Sequence, residues 1–271
     1  MRFYRSRLLL RGLSTISAVR CIVALAIWRW WAIGTTINVK YQKSGRALTA
    51  TIRAPHFESD FQSVLELAAG DCYHLEELNW RPECVYDCGS NTGLFTLYAA
   101  AKWPNCAVTA FEPVSHNIHA IEGHLQMNRL RPRVKLEPCA IGPSRRIASF
   151  YIRSANQGSF EPVTGDEESI SIDVLPFFET YSADIGRDTL VKLDVEGAEH
   201  GIMDDLFNRQ GLSRLVIVME VHGDRAVQAQ LLSRARRNGW VGGFWEIADH
   251  TAHLYLATPD VGIVTALDLK D

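Results

Sequence analysis

CVYDCGSNTGLF, residues 84–95, decides the fold of this chain. Cys84 to Cys88 form a short apolar run broken only by Asp87. Gly89-Ser90-Asn91-Thr92-Gly93 then makes a turn, and Leu94–Lys102 has the composition of a helix. Strand, glycine turn and helix in that order open a βαβ unit. The two glycines let the backbone turn sharply and approach another group without a side chain between, and Asn91 tolerates a left-handed conformation.

Working outward, short apolar runs recur at 107–113, 134–141, 189–197 and 214–222. Helical candidates lie at Val114–Asn128, Ala198–Asn208 and Ala226–Asn238. This alternation predicts an α/β domain with a mostly parallel sheet covered by helices on both faces. Two segments depart from it. Residues 145–153 and 169–177 read as strands joined by a polar loop, an inserted hairpin-like β excursion. Residues 239–247 and 252–259 read as a terminal antiparallel hairpin.

In a doubly wound sheet, ligands bind beyond the carboxyl ends of the strands. The turn here is DxGxNxG rather than the dinucleotide pattern GxGxxG. Asp87 would serve a pyrophosphate poorly and a sulfonium or ammonium well. The second strand ends in Phe111-Glu112-Pro113, where an acidic side chain suits two ribose hydroxyls. A positively charged nucleoside without phosphate satisfies both features, and S-adenosylmethionine is such a molecule.

VYDCGSNTGLFTLYAA, AVTAFEPVSHNIHAIEGHLQMN and DTLVKLDVEGAEHGIMDDL together resemble the FkbM-type methyltransferase family, from about Val85 to His222. The resemblance implies a Rossmann-like class I methyltransferase fold, a seven-stranded sheet ending in an antiparallel hairpin. It also implies S-adenosylmethionine as methyl donor and a hydroxyl oxygen as usual acceptor. On that basis Asp87, Cys88, Gly89, Ser90, Asn91 and Gly93 form the cofactor turn, and Glu112 and Pro113 the ribose-binding strand end. Cys139 and Ala140 fall where the third strand meets adenine, although a cysteine departs from the small or polar residues often seen there. Asn117 and Asn128 are read as structural, and His116, His119 and His124 as decorating a helix surface.

The fourth strand carries Lys192, Asp194 and Glu196 at alternate positions, a shared direction on a strand. Charge on a central strand is costly unless paired or functional. The fifth strand adds Glu220 and His222. Lys192, Asp194, Glu220 and His222 are therefore the candidate catalytic cluster, with Asp194 foremost. Glu196 and Glu199 are read as helix-start carboxylates. Asp194, Glu220 and His222 would also suit a hard divalent ion, but nothing in the spacing requires one and no metal is assigned. Expected activity is O-methylation of a hydroxyl on a sugar, glycan or other small molecule. The rivals are an NAD-type oxidoreductase, disfavoured by Asp87 and the missing GxGxxG, and a non-catalytic nucleoside-binding module, disfavoured by the buried charge.

Charge divides the chain. Residues 1–57 hold ten Lys or Arg and no Asp or Glu, whereas residues 58–271 hold 18 basic and 31 acidic residues. A basic N-terminal arm, 1–57, thus precedes the methyltransferase domain, 58–271. The longest apolar run of the arm, Cys21–Trp28, is too short to span a bilayer. Arginines and tryptophans in residues 1–35 suit peripheral membrane contact; a transit segment, a secretory signal and a packed helix stay open. The acidic body argues against nucleic acid as partner. Six cysteines without framework spacing read as buried thiols of a reducing compartment, and the expected location is cytoplasmic, at or near the inner face of a membrane. Asn156–Gly165 and Phe57–Leu78 are the segments expected to complete the acceptor pocket.

Overall fold

The computed structural model describes residues 37–43, 46–53, part of 60–80, then 80–154, 157–160, 168–247 and 251–261. Most of the basic arm lies outside the described residues. Its end does not: β1 (Ile37–Lys43) and β2 (Arg46–Ile52) form an antiparallel hairpin. Val39, Tyr41, Leu48, Ala50 and Ile52 of that hairpin are buried in the main core, so the domain body takes in residues N-terminal to position 58.

The central sheet has seven strands. Along the chain they are β3 (Cys84–Cys88), β4 (Ala107–Phe111), β5 (Val134–Glu137), β10 (Thr189–Leu193), β11 (Leu215–His222), β12 (Val241–Ile247) and β13 (Thr251–Ala257). Across the sheet the order is β12-β13-β11-β10-β3-β4-β5. The five strands β3, β4, β5, β10 and β11 run parallel; β13 is antiparallel to β11 and to β12. The antiparallel terminal hairpin is where the sequence places it. Chain order moves outward from β3 through β4 to β5, then returns to β10 on the other side of β3. The crevice between β3 and β10 is therefore the topological switch point.

Strands β3 and β10 are buried along their whole length, which explains their apolar runs. Alternation divides them between two cores. Val85, Leu190, Val216 and Val218 face helix α1 (Leu94–Lys102), helix α2 (Ser115–Met127) and the β1–β2 hairpin. Tyr86, Cys88, Val191, Leu193, Ile217 and Met219 face helices α4 (Glu199–Phe207) and α5 (Arg225–Arg237).

The excursion is a second sheet. β7 (Arg146–Ser154) pairs antiparallel with β9 (Glu168–Pro176), while β6 (Ala140–Gly142) and β8 (Gln157–Ser159) flank them in the order β6-β9-β7-β8. Residues 154–168 read as loop from their polar composition, yet β8 falls within them; three residues are too few to show a period. After β9 comes the short helix α3 (Phe177–Tyr181), which leads into β10.

Candidate active site

The glycine turn is built by close approach. Gly89 has φ of 78°, and a β-carbon there would lie 1.8 Å from the carbonyl oxygen of Asp194. The ends of β3 and β10 can touch only because residue 89 is glycine. Gly93, with φ of 76°, meets Ile121 of α2 at 2.8 Å in the same sense. Asn91 is left-handed, with φ of 52°. Its backbone amide donates to Glu112 Oε2 at 2.8 Å, tying the turn to the end of β4.

Glu112 is buried and does more than the sequence suggests. Its Oε1 accepts from the Val114 amide at 3.0 Å and from Asn117 Nδ2 at 3.2 Å. Three of about four lone-pair directions of the carboxylate are thus engaged by the protein, which leaves one acceptor position on a residue that lines the crevice. Burial pushes the Glu112 carboxyl up to about 7 despite these three donors. Asn91 Oδ1 is buried at the same crevice with no hydrogen-bond partner among the described residues.

Lys192 organises the β10 side. Its ammonium, 4% exposed, donates to the Gly89 carbonyl at 2.6 Å and lies 3.2 Å from Asp194 Oδ2 and 3.6 Å from Asp87 Oδ1. Those carboxylates hold its pKa above the ordinary lysine range, against burial, which acts the other way. Lys192 is therefore a fixed cation. Asp87 is fully buried, accepts from Thr96 Oγ1 on Oδ2, and does not face the crevice. Burial raises the Asp194 carboxyl even with Lys192 beside it. Tyr73 adds a hydroxyl 3.5 Å from Asp194 Oδ2, and its ring packs on Phe95 and His253.

Strand alternation stops at Leu193. Beyond it the chain turns through Glu196, left-handed with φ of 54°, and Gly197 at 103°. The left-handed region is unfavourable for a glutamate and is held there by its surroundings. Glu199 draws the turn together, accepting from the Val195 and Gly197 amides at 3.1 and 3.0 Å. Glu196 lines the crevice, and burial followed by the nearby Asp194 charge raises its carboxyl to about 7.

His222 stands behind this turn, with Nδ1 3.2 Å from Glu199 Oε1 and Nε2 3.6 and 3.8 Å from Glu220 and Glu196. The Glu199 hydrogen bond, aided by the other carboxylates, raises it to about 9. It is an imidazolium at neutral pH. Glu220 is held below its ordinary value, first by His253. Neither Lys192, Glu220 nor His222 lines the crevice itself; Asp194 does. Among the described residues no group of three or more His, Cys, Asp or Glu is arranged to hold a metal ion.

Of the residues assigned to the cofactor, Gly89, Asn91, Glu112, Pro113 and Ala140 line the crevice, and Asp87, Cys88, Ser90, Gly93 and Cys139 stand behind it. Cys139 is buried among apolar neighbours of the second core, including Cys88 and Ile141. The far wall, Phe150, Ile152, Gly158 and Phe160, comes from the second sheet. Asn117 is both a lining residue and a brace. His116 also lines the crevice, and His124 is 1% exposed, so neither is a mere surface decoration of α2. Glu196 also lines the crevice, although its position after the strand reads as a helix start. A glutamate followed by glycine just past a strand was the available signal.

A seven-stranded sheet of this order, with an acidic crevice at its switch point, defines a Rossmann-like class I methyltransferase fold. The family model described as Methyltransferase FkbM domain matches residues 87–238, and the chain belongs to that family. Methyltransferases of this kind take their methyl group from S-adenosylmethionine. The chain is 30% identical over 100 residues to the 31-O-demethyl-FK506 methyltransferase FkbM of Streptomyces tacrolimicus, covering 36% of this chain and 38% of that protein. It is 33% identical over 79 residues to Methyltransferase sdnD of Sordaria araneosa, covering 29% and 30%. These matches span well under half of either relative. A solved structure, Methyltransferase FkbM from Methylobacillus flagellatus KT, shares 17% identity at a TM-score of 0.45, over 72% of this chain and 53% of that one. No helix among the described residues is long and apolar enough to cross a membrane.

Proposed function

We propose that this protein transfers the methyl group of S-adenosylmethionine to a hydroxyl oxygen of a sugar, glycan or other small molecule. One observation carries the reading. The described residues lining the crevice include Glu112, Asp194 and Glu196 but no Lys or Arg. Such a site favours a sulfonium over the pyrophosphate of a dinucleotide. The free acceptor position of Glu112 and the unpartnered Asn91 Oδ1 suit ribose hydroxyls or an ammonium.

When bound, S-adenosylmethionine supplies an electrophilic methyl on a sulfonium. The chain's residues do the rest. Glu112 and Asn91 orient the donor, and Lys192 fixes Gly89 and Asp194 at the rim. Glu196, which lines the crevice without the three protein donors that engage Glu112, accepts the proton of the acceptor hydroxyl; a base near neutrality contributes roughly 100- to 10,000-fold. Imidazolium His222 stabilises the loop that presents it. The apolar wall of Phe150, Ile152 and Phe160 suits an acceptor or adenine face without charge. Peripheral membrane contact through residues 1–35 belongs to the same proposal, and would make a lipid-linked glycan an attractive acceptor.

The test is calorimetric titration of the full chain with S-adenosylmethionine and with NAD, then transfer of labelled methyl to a panel of glycosides and alcohols. Binding of S-adenosylmethionine that Glu112→Ala weakens, with label recovered as an ether, is expected. Tight binding of NAD, or no binding of S-adenosylmethionine by folded protein, would sink the reading.

A further inference from the structure

The brace behind Glu112 begins outside the family-matched region. Asn117 lies in the first turn of α2 and uses both ends of its amide. Nδ2 donates to Glu112 Oε1 at 3.2 Å, and Oδ1 accepts from Arg53 Nη1 at 3.2 Å. Arginine has donors only. It therefore requires the oxygen of Asn117 to face it, which turns the amide nitrogen toward the carboxylate. A flipped amide would set oxygen against Glu112.

Arg53 is held in turn. Nε and Nη2 donate to Asp60 Oδ2 and Oδ1 at 2.8 and 2.7 Å, a bidentate pair with the carboxylate 2% exposed. The Arg53 backbone amide donates to the same Oδ2 at 2.8 Å, and Nη1 also reaches the His116 carbonyl at 3.4 Å. The hairpin that carries Arg53 is pinned to α2 at two points. Asn128 bonds both the amide and the carbonyl of Thr49, at 2.8 and 2.7 Å. His124 accepts from the Thr51 amide at Nε2 and meets the Thr92 carbonyl at Nδ1, each at 2.8 Å. Arg53 follows Thr51 by two residues, so its place over the start of α2 is set by these bonds.

We propose that Arg53 is a positioning residue of the donor site, which with Asp60 orients Asn117 so that Glu112 presents its remaining acceptor to the ribose. This rests on the donor assignment above. A forked guanidinium is needed, since an ammonium cannot span a carboxylate bidentately and reach the amide as well.

The experiment is a double-mutant cycle on the full chain, with S-adenosylmethionine binding read by calorimetry. Arg53→Met is combined with Asp60→Asn, so that no buried charge is left alone. The pair should bind about tenfold more weakly, the scale of one charge-assisted hydrogen bond. In a Glu112→Gln background the same pair should change affinity less than twofold, because what it positions is gone. Should the pair not fold by thermal unfolding, Arg53→Lys, which keeps a charge beside Asp60 but not the fork, makes the same comparison in the two backgrounds. Wild-type affinity in the pair, or an equal loss in both backgrounds, would mean a merely structural brace and overturn the proposal. Failure of the unaltered chain to bind S-adenosylmethionine would instead overturn the donor assignment, and this proposal with it.

Discussion

Replacing Lys192 by methionine separates a structural cation from a catalytic base. Methionine keeps most of the stem volume and removes the charge. The ammonium it removes is 4% exposed and serves the Gly89 carbonyl, Asp194 and the fully buried Asp87. Breaking a buried ion pair by removing one partner costs roughly 3–5 kcal/mol, since the other charge is left uncompensated. For a domain of this size that lowers the melting temperature by roughly 6–20 °C. The folded pKa of Lys192 is raised above its ordinary 10.5. Its contribution is therefore complete below that value and is lost only as pH rises through the folded pKa. The expected deficit is thus constant from pH 6 to 9 in urea unfolding followed by circular dichroism. Asp87→Asn in the methionine background should recover part of it, because the stranded charge is gone. A Lys192→Met protein within about 0.5 kcal/mol of the parent, or one made worse by Asp87→Asn, would refute the reasoning.

Three further outcomes follow from the same geometry. His222, raised from 6.5 to about 9, should give an imidazolium resonance at pH 7.5 in ring-nitrogen NMR; its stabilising effect is present below 6.5 and lost as pH rises through about 9, and His222→Gln should abolish that dependence. His124 is lowered by burial, so the unfolded chain binds more protons below about 6.5 and stability should fall with acid, by up to about 1.4 kcal/mol per pH unit; thermal unfolding at pH 7 and 5.5 should show a shallower fall for His124→Gln. Gly89→Ala forces a β-carbon to 1.8 Å from the Asp194 carbonyl oxygen at φ of 78°, and should cost at least about 3 kcal/mol or prevent folding; an alanine protein of parental melting temperature would contradict the close approach of β3 and β10.

The amino-acid sequence by itself determined the parallel sheet, the glycine turn after β3, the acidic end of β4 and the antiparallel close. These are local patterns of period and turn chemistry, written within a few residues of each other. It also marked Lys192 and Asp194 as charges on a central strand. Tertiary structure decided what those groups do. Whether a buried carboxylate or imidazole is charged depends on neighbours distant in the chain, as Glu220 is from Asp194 and Glu199 from His222. Glu196 read as a helix-start carboxylate because strand alternation cannot foresee that the strand ends at Leu193 and the next turn is left-handed. His124 read as a surface histidine because the helix pattern does not reveal that the β1–β2 hairpin covers it. Spacing records which residues share a face; only packing records what that face meets.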